Sequence, residues 1–485
     1  MRKIGFAKAA CIVAAFCAGT AATSLGQTFA TLTEFDGANG GNAEAALVQG
    51  SSGNFYGAAA AGGGKGLGTV FDVTPAGILT TLHNFCSKTN CADGGGTSPG
   101  SALLLAANGN LYGTTSGGGA YSEGTVFEIT PAGKLTTLYS FCSQALCADG
   151  SQPLASLVEG VNGNFYGTTY AGGGTNTGTV FEITPAGKLT TLYSFCSQSG
   201  CTDGAYPQAA LVLGSDGNFY GTTAGAGDEV TGYGTIFKIS PAGKLVTLHS
   251  FDYTDGENPQ AALVQGANGD FYGTAYSGGS HNKGTIFQIT RGGKFTLLYI
   301  FCSLTNCTDG GDPAGLVLGS DGNFYGTTEL DGGHDYGEVF EFTPAGKLTT
   351  LYSFCSEKDC ADGIYPLAGL VQGTDGSFYG TTWRGGTSTN CTGDCGTIFS
   401  ISTGLGPFVA ATPNFGKVGY TISILGNDLT GATGVSFNGT PATTFTVVSP
   451  TLIKATVPAG ATAGTIEVTT PGGTLSSNVT FQILP

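Results

Sequence analysis

A Phe-Tyr-Gly motif recurs seven times along this chain of 485 residues, with Leu111 in place of Phe in the second copy. The period lies between 52 and 56 residues, and the seven tyrosines are Tyr56, Tyr112, Tyr166, Tyr220, Tyr272, Tyr325 and Tyr379. Each copy belongs to a longer unit, whose best-preserved parts read ALVxGxDGNFYGTT and GTVFEITPAGKLTTLYSF. A fixed period of this length indicates one small structural unit that is built many times over.

Four short runs in each unit have the composition of β-strands. In the third copy they are residues 155–158, 164–169, 178–184 and 188–195. Phe181 and Ile183 alternate with Val180 and Glu182, which predicts two opposite faces. Residues 162–164 and 185–187 have the composition of hairpin turns. Four antiparallel strands with a period of roughly 50 residues predict the blade of a β-propeller.

The two ends of the repeat region are offset by one strand. Residues 28–35 match the fourth strand of the unit, whereas residues 396–403 match the third strand and no fourth strand follows them. We therefore predict an all-β fold in which residues 27–403 form a seven-bladed β-propeller and the N-terminal strand closes the last blade. Closure of this kind removes two bare strand edges, which promote aggregation.

The unit DGNFYGTT…GTVFEITPAGKLTTLYSF resembles the Gloeo/Verruco (GloVer) tandem repeat of bacterial exported proteins, and the resemblance covers nearly all of residues 28–403. It implies a secreted or surface protein, in a family whose role is poorly defined. The unit is also similar to propeller repeats of the virginiamycin B lyase type, which share the DGN…ITPxG layout.

A different pattern begins after a linker at residues 404–407. Short alternating strands over residues 408–485 predict a small β-sandwich. This stretch resembles the IPT/TIG domain along its whole length. The resemblance implies an immunoglobulin-like domain that serves as a spacer or adhesion module.

Residues 1–26 have the features of a secretory signal peptide: a basic start, an apolar run from about residue 9 to residue 18, and small residues before the expected cleavage site. The apolar run is too short to span the ~30 Å hydrocarbon core of a membrane, and a lipid anchor on Cys17 is the weaker alternative. We expect a secreted or cell-surface protein, periplasmic or extracellular, with no transmembrane segment after the signal is removed.

Twelve of the 14 cysteines fall into six local pairs, and five of these pairs share the frame Phe-Cys-Ser-x-x-x-Cys-x-Asp-Gly. One repeat reads Phe251-Asp-Tyr-Thr-Asp255-Gly256 instead and lacks both cysteines together, as a bonded pair should. Export favours disulfides over the alternative of zinc sites, because the spacing is unusual for zinc and no histidine accompanies it. The predicted disulfides are Cys86–Cys91, Cys142–Cys147, Cys196–Cys201, Cys302–Cys307, Cys355–Cys360 and Cys391–Cys395.

The chain without residues 1–26 has 14 basic and 33 acidic residues, a net charge of −19. It shows neither a basic stripe for nucleic acid nor a polybasic patch for membranes. We expect no nucleic-acid partner and predict no metal or cofactor site.

Strand order places the loops between the second and third strands, and the loops between repeats, on one side of the propeller. We call this side the variable-loop face and the opposite side, which carries near-identical hairpin turns, the turn face. Because binding residues concentrate on loops held by a rigid scaffold, we predict the binding site on the variable-loop face. The candidate residues are Trp383, Arg384, His334, Asp335, Tyr336, His281, Asp228, Glu229 and Tyr233.

An Asp-Gly pair precedes the first strand of every repeat: Asp36, Asp93, Asp149, Asp203, Asp255, Asp309 and Asp362. This ring of carboxylates is open to two interpretations, cation binding or turn chemistry, in which Asp bonds nearby backbone groups. Sevenfold repetition favours turn chemistry.

No hydrolase or metalloprotease motif occurs in the sequence. An enzyme of the lyase type would need His281 and His334 with Glu229 or Glu329 at the mouth of the propeller. The preferred hypothesis is an exported binding protein for a glycan or a peptide. A propeller lyase or hydrolase and a purely structural envelope protein remain alternatives.

Overall fold

The computed structural model describes residues 27–95, 102–225, 232–390 and 395–484. Within these ranges the regular structure is β-strand, apart from five single-turn 3-10 helices. The described residues contain no helix that is long and apolar enough to cross a membrane. The all-β prediction is confirmed.

Each repeat forms a four-stranded antiparallel sheet whose strands pair in sequence order. The strands of the first six repeats are Val48–Gln49, Phe55–Ala59, Thr69–Val73 and Leu79–Asn84; Leu104–Leu105, Leu111–Thr115, Thr125–Ile129 and Leu135–Ser140; Val158–Glu159, Phe165–Thr169, Thr179–Ile183 and Leu189–Ser194; Val212–Leu213, Phe219–Thr223, Thr235–Ile239 and Leu245–Ser250; Val264–Gln265, Phe271–Ala275, Thr285–Ile289 and Phe295–Ile300; Gly311–Leu318, Phe324–Leu330, Glu338–Phe342 and Leu348–Ser353. The sheets recur in a propeller-like arrangement.

The seventh sheet combines strands from both ends of the repeat region. Val371–Gln372, Phe378–Thr381 and Thr397–Ser402 supply three strands, and Thr28–Glu34 supplies the fourth. The N-terminal strand runs antiparallel to its neighbour, with Thr28 opposite Ser402 and Glu34 opposite Thr397. The one-strand offset seen in the sequence is therefore present in the hydrogen-bonded sheet.

Neighbouring sheets pack face to face through a repeated aromatic contact. The motif tyrosine of one repeat lies on the motif phenylalanine of the next, and the last repeat contacts the first in the same way. The centroid distances are 4.2 Å for Tyr112–Phe165, 4.2 Å for Tyr166–Phe219, 4.0 Å for Tyr220–Phe271, 4.3 Å for Tyr272–Phe324, 4.0 Å for Tyr325–Phe378 and 4.0 Å for Tyr379–Phe55. At the remaining junction Tyr56 packs with Leu111 in a shared core.

Packing on both sides explains why both faces of a strand are buried. Phe181 and Ile183 join the core shared with the second repeat, whereas Val180 joins the core shared with the fourth. The glycine of the motif is required by the same close packing, because a Cβ atom at Gly167 would lie 2.7 Å from Phe181 Cζ.

The Asp-Gly carboxylates are used locally, in the way that turn chemistry predicts. Asp149 is fully buried; its Oδ2 accepts hydrogen bonds from the Tyr139 hydroxyl at 2.7 Å and from Ser143 N and Oγ at 2.9 Å, and its Oδ1 accepts one from Gln144 N. Burial would raise the pKa of Asp149, but these hydrogen bonds outweigh it and lower the pKa below its usual value. The carboxylate thus holds the cysteine loop closed.

Disulfides close the cysteine loops beside these carboxylates. Five are present as predicted: Cys86–Cys91, Cys142–Cys147, Cys196–Cys201, Cys302–Cys307 and Cys355–Cys360. Each loop contains one 3-10 turn: Thr89–Cys91, Ala145–Cys147, Ser199–Cys201, Thr305–Cys307 and Lys358–Cys360. Cys395 is disulfide-bonded, and Cys391 lies outside the described residues.

Two histidines occupy the position of the loop tyrosine. His83 Nε2 lies 3.1 Å from Asp93 Oδ2, and His249 Nε2 lies 2.8 Å from Asp255 Oδ2. Each histidine therefore makes the carboxylate contact that tyrosine makes in the other repeats.

The C-terminal segment, residues 408–484, has its own core, which includes Val409, Ile424, Phe437, Ile453 and Phe481. One sheet contains Ala410–Thr412, Thr421–Leu425, Leu452–Thr456 and Phe445–Ser449, and a second contains Thr440–Pro441, Gly434–Phe437, Ile466–Thr470 and Gly473–Ser476. Phe415–Lys417 pairs in parallel with Gln482–Leu484.

This C-terminal segment lies on the turn face of the repeat region. Thr451 Oγ1 donates a hydrogen bond to Ser51 O at 2.8 Å, in a hairpin turn of the first repeat. Phe408 N donates to Thr374 O at 3.0 Å, in the equivalent turn of the seventh repeat. The turn face is thus partly covered, whereas these contacts leave the variable-loop face free.

Replacing Asp149 with Ala should lower the free energy of unfolding by about 2 kcal/mol or more, because several buried donors lose their acceptor. Urea unfolding would measure the change. Asp36→Ala is the matched control at the same repeat position; Asp36 accepts only from Ala38 N and Asn39 N near the surface, so about 1 kcal/mol or less is expected. Equal losses in the two variants would contradict this role for the buried carboxylate.

Replacing His83 with Tyr should make stability less dependent on pH between about pH 7 and pH 5. Burial lowers the pKa of His83 below 6.5 despite the opposing effect of Asp93. Its folded-state pKa is depressed, so its contribution is fully present above the unfolded pKa and is lost as the pH falls through the folded value. Unfolding midpoints across this range test the prediction. His334→Tyr, at an exposed position, should keep the wild-type profile; a shared change would refute the assignment to His83.

Candidate functional site

The centre of the variable-loop face is lined by two rings of equivalent residues. The first strands of neighbouring sheets contact each other, so they lie at the centre of the array. The inner ring lies at or just before the start of these strands and contains Asn42, Gln152, Tyr206, Asn258, Asp312 and Tyr365. The second ring lies at or just after the end of the second strands and contains Ala60, Ser116, Tyr170, Ala224, Tyr276, Glu329 and Trp383. We call the two rings together the mouth; the second repeat's inner-ring position falls within residues 96–101, outside the described ranges.

The six inner-ring residues all have a left-handed backbone, with φ between 54° and 58°. This conformation is unusual for a side chain as large as that of Tyr206 or Tyr365. Hydrogen bonds enforce it: Tyr365 N donates to Tyr336 O in the preceding repeat at 3.0 Å, and Tyr365 O accepts from Trp383 N at 3.0 Å. Strain of this kind persists where the surroundings over-determine the backbone, and it concentrates at functional sites.

An aromatic arc, formed by Tyr336, Tyr365, Trp383 and Arg384, lies across the sixth and seventh repeats. Tyr336 and Tyr365 have ring centroids 5.6 Å apart, and Tyr365 and Trp383 have centroids 6.4 Å apart. The guanidinium of Arg384 lies 4.1 Å from the centre of the Trp383 ring, within range of a cation–π interaction. The side chains of the arc are partly exposed, so the arc offers flat rings together with a hydrogen-bond donor.

A charged cluster, formed by Tyr276, Lys283, Asp312, Glu329 and Asp331, adjoins the arc at the fifth and sixth repeats. Lys283 Nζ lies 2.7 Å from Asp331 Oδ2 and 3.6 Å from Asp312 Oδ2. The Tyr276 hydroxyl donates to Glu329 Oε2 at 2.7 Å. Two carboxylates therefore share one ammonium, and the Glu329 carboxylate is held beside them by Tyr276.

Burial and charge act against each other within the charged cluster. Burial raises the pKa of Asp312; the Lys283 charge opposes this, and the charges of Asp331 and Glu329 add to it. Burial alone would lower the pKa of Lys283, but the hydrogen bond to Asp331 and the two carboxylate charges outweigh it and raise the pKa. Lys283 therefore stays charged and fixes the position of Asp312.

The sixth repeat departs most from the common pattern. Its first strand, Gly311–Leu318, has eight residues, whereas the other first strands have two. Glu338 stands where the other repeats have a buried threonine, and its carboxylate accepts from Gly333 N, Ser353 Oγ and Thr350 Oγ1. A scaffold of near-identical repeats thus becomes asymmetric at the part of the mouth that holds the charged cluster.

The candidates from the sequence fall into three groups. Trp383, Arg384 and Tyr336 lie together in the aromatic arc, and Tyr233 lies at the position equivalent to Tyr336, with its ring 5.5 Å from Tyr253. His281, His334 and Asp335 are exposed at loop tips. Asp228 and Glu229 lie outside the described residues.

Sequence reasoning missed the inner ring and the charged cluster. Tyr365, Asp312, Lys283 and Glu329 were absent from the binding candidates, although Glu329 was named for the lyase alternative. Alignment of the seven repeats against one another contains the signal. The position before Pro in Asp-Gly-x-x-Pro and the position after Thr-Thr vary, while the residues around them repeat.

The lyase alternative gains no support from the geometry. His281 Nδ1 lies 3.4 Å from Ser280 Oγ, and no contact among the described residues joins His281 or His334 to Glu329. Within the described ranges, no group of three or more His, Cys, Asp and Glu side chains is arranged to hold a metal ion.

The family model of the Gloeobacter/Verrucomicrobia repeat matches residues 20–230, 145–307 and 213–448. The chain has no match among curated proteins.

Several solved structures are similar to the chain. A fungal alcohol oxidase of the AA5 family, in complex with copper, is 12% identical over 94% of this chain and 99% of its own, with a TM-score of 0.49. The extracellular domain assigned to a hybrid two-component system from B. thetaiotaomicron is 12% identical over 92% of this chain and 53% of its own, with a TM-score of 0.49. An auxiliary nutrient binding protein from Bacteroides ovatus is 16% identical over 62% of this chain and 68% of its own, with a TM-score of 0.40. At these scores no function is carried over to this chain.

Replacing Lys283 with Met should lower the free energy of unfolding by about 1–3 kcal/mol, because the largely buried Asp312 carboxylate then lies beside two other carboxylates without a counter-charge. Chemical denaturation would measure the loss. The matched control is Lys358→Met, whose ion pair with Asp359 is almost fully exposed and should have no measurable effect. A Lys283→Met variant as stable as the wild type would rule out a structural role for this pair.

Proposed function

We propose a binding function for this chain, which belongs to the Gloeobacter/Verrucomicrobia repeat family. The chain is an exported bacterial protein that binds a ligand at the mouth on its variable-loop face. It acts after cleavage of a signal peptide at residues 1–26, in the periplasm, outside the cell or on its surface. The disulfides support this location, because they persist in oxidising compartments.

The proposed architecture has two domains. Residues 27–403 form a seven-bladed β-propeller, which the seven four-stranded sheets and the pairing of the N-terminal strand support. Residues 404–407 form a linker. Residues 408–485 form an immunoglobulin-like domain of the IPT/TIG kind, which acts as a spacer or adhesion module.

The observation that carries the proposal is that the repeats differ from one another mainly at the mouth. The hairpin turns, the motif and the cysteine loops recur with few changes, whereas the two rings of the mouth contain Asn, Gln, Tyr, Asp, Glu, Trp, Ser and Ala at equivalent positions. Structural demands are the same in every repeat and favour the same residue. Different residues at equivalent positions are what recognition of an asymmetric ligand needs.

A carbohydrate is the ligand class we favour over a peptide. The Trp383 ring, with Arg384 above it and Tyr365 beside it, provides flat apolar surface for the faces of sugar rings. Asp312 and Glu329 provide acceptors for hydroxyl groups next to that surface. Aromatic surface combined with a few polar groups at a concave centre is typical of small-molecule sites.

A purely structural role in the envelope would leave the mouth without a ligand. Under that alternative, the inner-ring residues would have no reason to retain bulky side chains in the left-handed region. The proposed binding role accounts for this strain, since Tyr206 and Tyr365 keep accessible aromatic rings in this conformation.

Replacing Trp383 with Ala should weaken binding of a glycan identified on an array of bacterial and plant polysaccharide fragments by about tenfold or more, because a stacked ring is lost. Isothermal titration calorimetry on the best array hit would measure it. The matched control is Tyr420→Ala, an exposed aromatic on the C-terminal segment, which should bind as the wild type does.

Two outcomes would overturn the proposal. One is an array on which the folded protein retains no glycan and no peptide. The other is a retained ligand whose affinity is the same in wild type, Trp383→Ala and Tyr365→Ala. If the array retains only peptides, and the two variants bind them more weakly, the mouth remains the proposed site and the ligand is a peptide.

A further inference from the structure

An apolar collar lies at the centre of the repeat region, on the turn face. Each repeat contributes one branched aliphatic residue from its first strand, and each of these is only partly buried: Val48, Leu104, Val158, Val212, Val264, Val317 and Val371. Partly buried aliphatic residues in a continuous ring favour a cover, because their exposure to water costs roughly 25 cal/mol per Å².

The C-terminal segment covers the collar off centre. Leu425 and Ala410 pack in one core with Tyr56 and Leu105, which belong to the first and second repeats. The hydrogen bonds of the segment to Ser51 and Thr374 also lie in the first and seventh repeats. The C-terminal segment therefore packs closely on the first, second and seventh repeats.

On the other side, the segment and the collar line a half-open cavity of about 570 Å³. Its walls include Val212, Val264 and Val317 from the repeats and Phe408 and Phe415 from the C-terminal segment. This volume is in the range of sites that bind drug-sized molecules. A neighbouring cavity of about 400 Å³ is lined by Leu104 and Val158.

The chemistry of the larger cavity is uncharged. Among the described residues that line it there is no Asp, Glu, Lys or Arg, although the chain as a whole is strongly acidic. The polar groups are mainly amides, and the side chains of Asn414 and Gln482 make no hydrogen bond to another described residue. Such amides can donate to carbonyl, ether or hydroxyl oxygens and accept from hydroxyl groups.

We infer that this cavity is a second binding site, separate from the mouth, for an uncharged and largely apolar small molecule that carries oxygen acceptors. The aliphatic collar and the two phenylalanine rings hold the apolar body of the ligand. Asn414 and Gln482 hold its oxygen atoms. Residues of both the repeats and the C-terminal segment line the site. A bound ligand would therefore stabilise the position of that segment on the repeats.

The turn position after the first strand offers a matched pair of variants. Ala267 occupies it in the fifth repeat, is exposed, and lines the larger cavity. Ala107 occupies it in the second repeat and is also exposed, but it lines neither described cavity. A tryptophan at either position adds the same bulk to the same kind of turn, and only Ala267→Trp places it at the wall of the cavity.

The probe is Nile red, an uncharged dye with carbonyl and ring oxygens whose emission brightens and shifts to shorter wavelength in apolar surroundings. We expect saturable binding with one site per chain. Ala267→Trp should weaken it by about tenfold or more, since the volume is occupied. Asn414→Ala should weaken it about threefold through loss of one hydrogen bond. Ala107→Trp and Trp383→Ala should bind as the wild type does.

Far-UV circular dichroism and thermal unfolding would verify that each variant is folded. The inference is overturned if the dye shows no saturable binding, if Ala267→Trp binds as tightly as the wild type, or if Ala107→Trp loses as much affinity as Ala267→Trp. Loss of dye binding in Trp383→Ala would place the dye at the mouth and would equally overturn it. Because the mouth is tested with a glycan and this cavity with the dye, the two proposals fail independently.

Discussion

The packing of each motif tyrosine on the motif phenylalanine of the next repeat, or on Leu111 in the second repeat, is the interaction on which the architecture depends. At the junction of the last and first repeats, Tyr379 and Phe55 lie 4.0 Å apart, the same distance as Tyr325 and Phe378 within the series. A single four-stranded sheet with both faces apolar would expose both of them to water, which is unfavourable. Each sheet is therefore stable only between two neighbours, and only a closed ring supplies two neighbours to every sheet.

This dependence separates the residues that build the scaffold from those that are free to recognise a ligand. The Phe-Tyr-Gly motif recurs because its aromatic rings and its glycine are needed for the same close packing in each repeat. The buried carboxylate recurs because it holds the cysteine loop in the same way. The mouth lies at the edge of this packing. Its backbone is held by hydrogen bonds between repeats, and side chains such as Tyr365 and Asp312 can differ without loss of the scaffold.

The repeat pattern of the sequence predicted the four-stranded unit, the pairing of Thr28–Glu34 with the last repeat, and the placement of Phe181 and Ile183 on one face of their strand. The first and third follow from local periodicity, and the second follows from the one-strand offset between the two ends of the repeat region. The contacts of the site were less predictable. Tyr365 and Trp383 are in adjacent loops of one repeat, and Lys283 reaches Asp312 across a repeat boundary; neither contact follows from spacing. Whether a loop residue points toward the mouth, or outward like His281, depends on backbone geometry that composition does not encode.

A ring of identical repeats offers a ligand seven equivalent positions, and recognition of one ligand requires that this equivalence be broken. The chain departs from it most in the sixth repeat. On the variable-loop face, Asp312 and Glu329 of this repeat replace aromatic or neutral residues found elsewhere in the mouth. On the turn face the repeat keeps the common valine, and Val317 lines the cavity between the collar and the C-terminal segment. The lengthened first strand, Gly311–Leu318, runs between these two places and contains residues of both. The two proposed sites therefore share one strand, which makes the sixth repeat the part of the scaffold through which they can be physically linked.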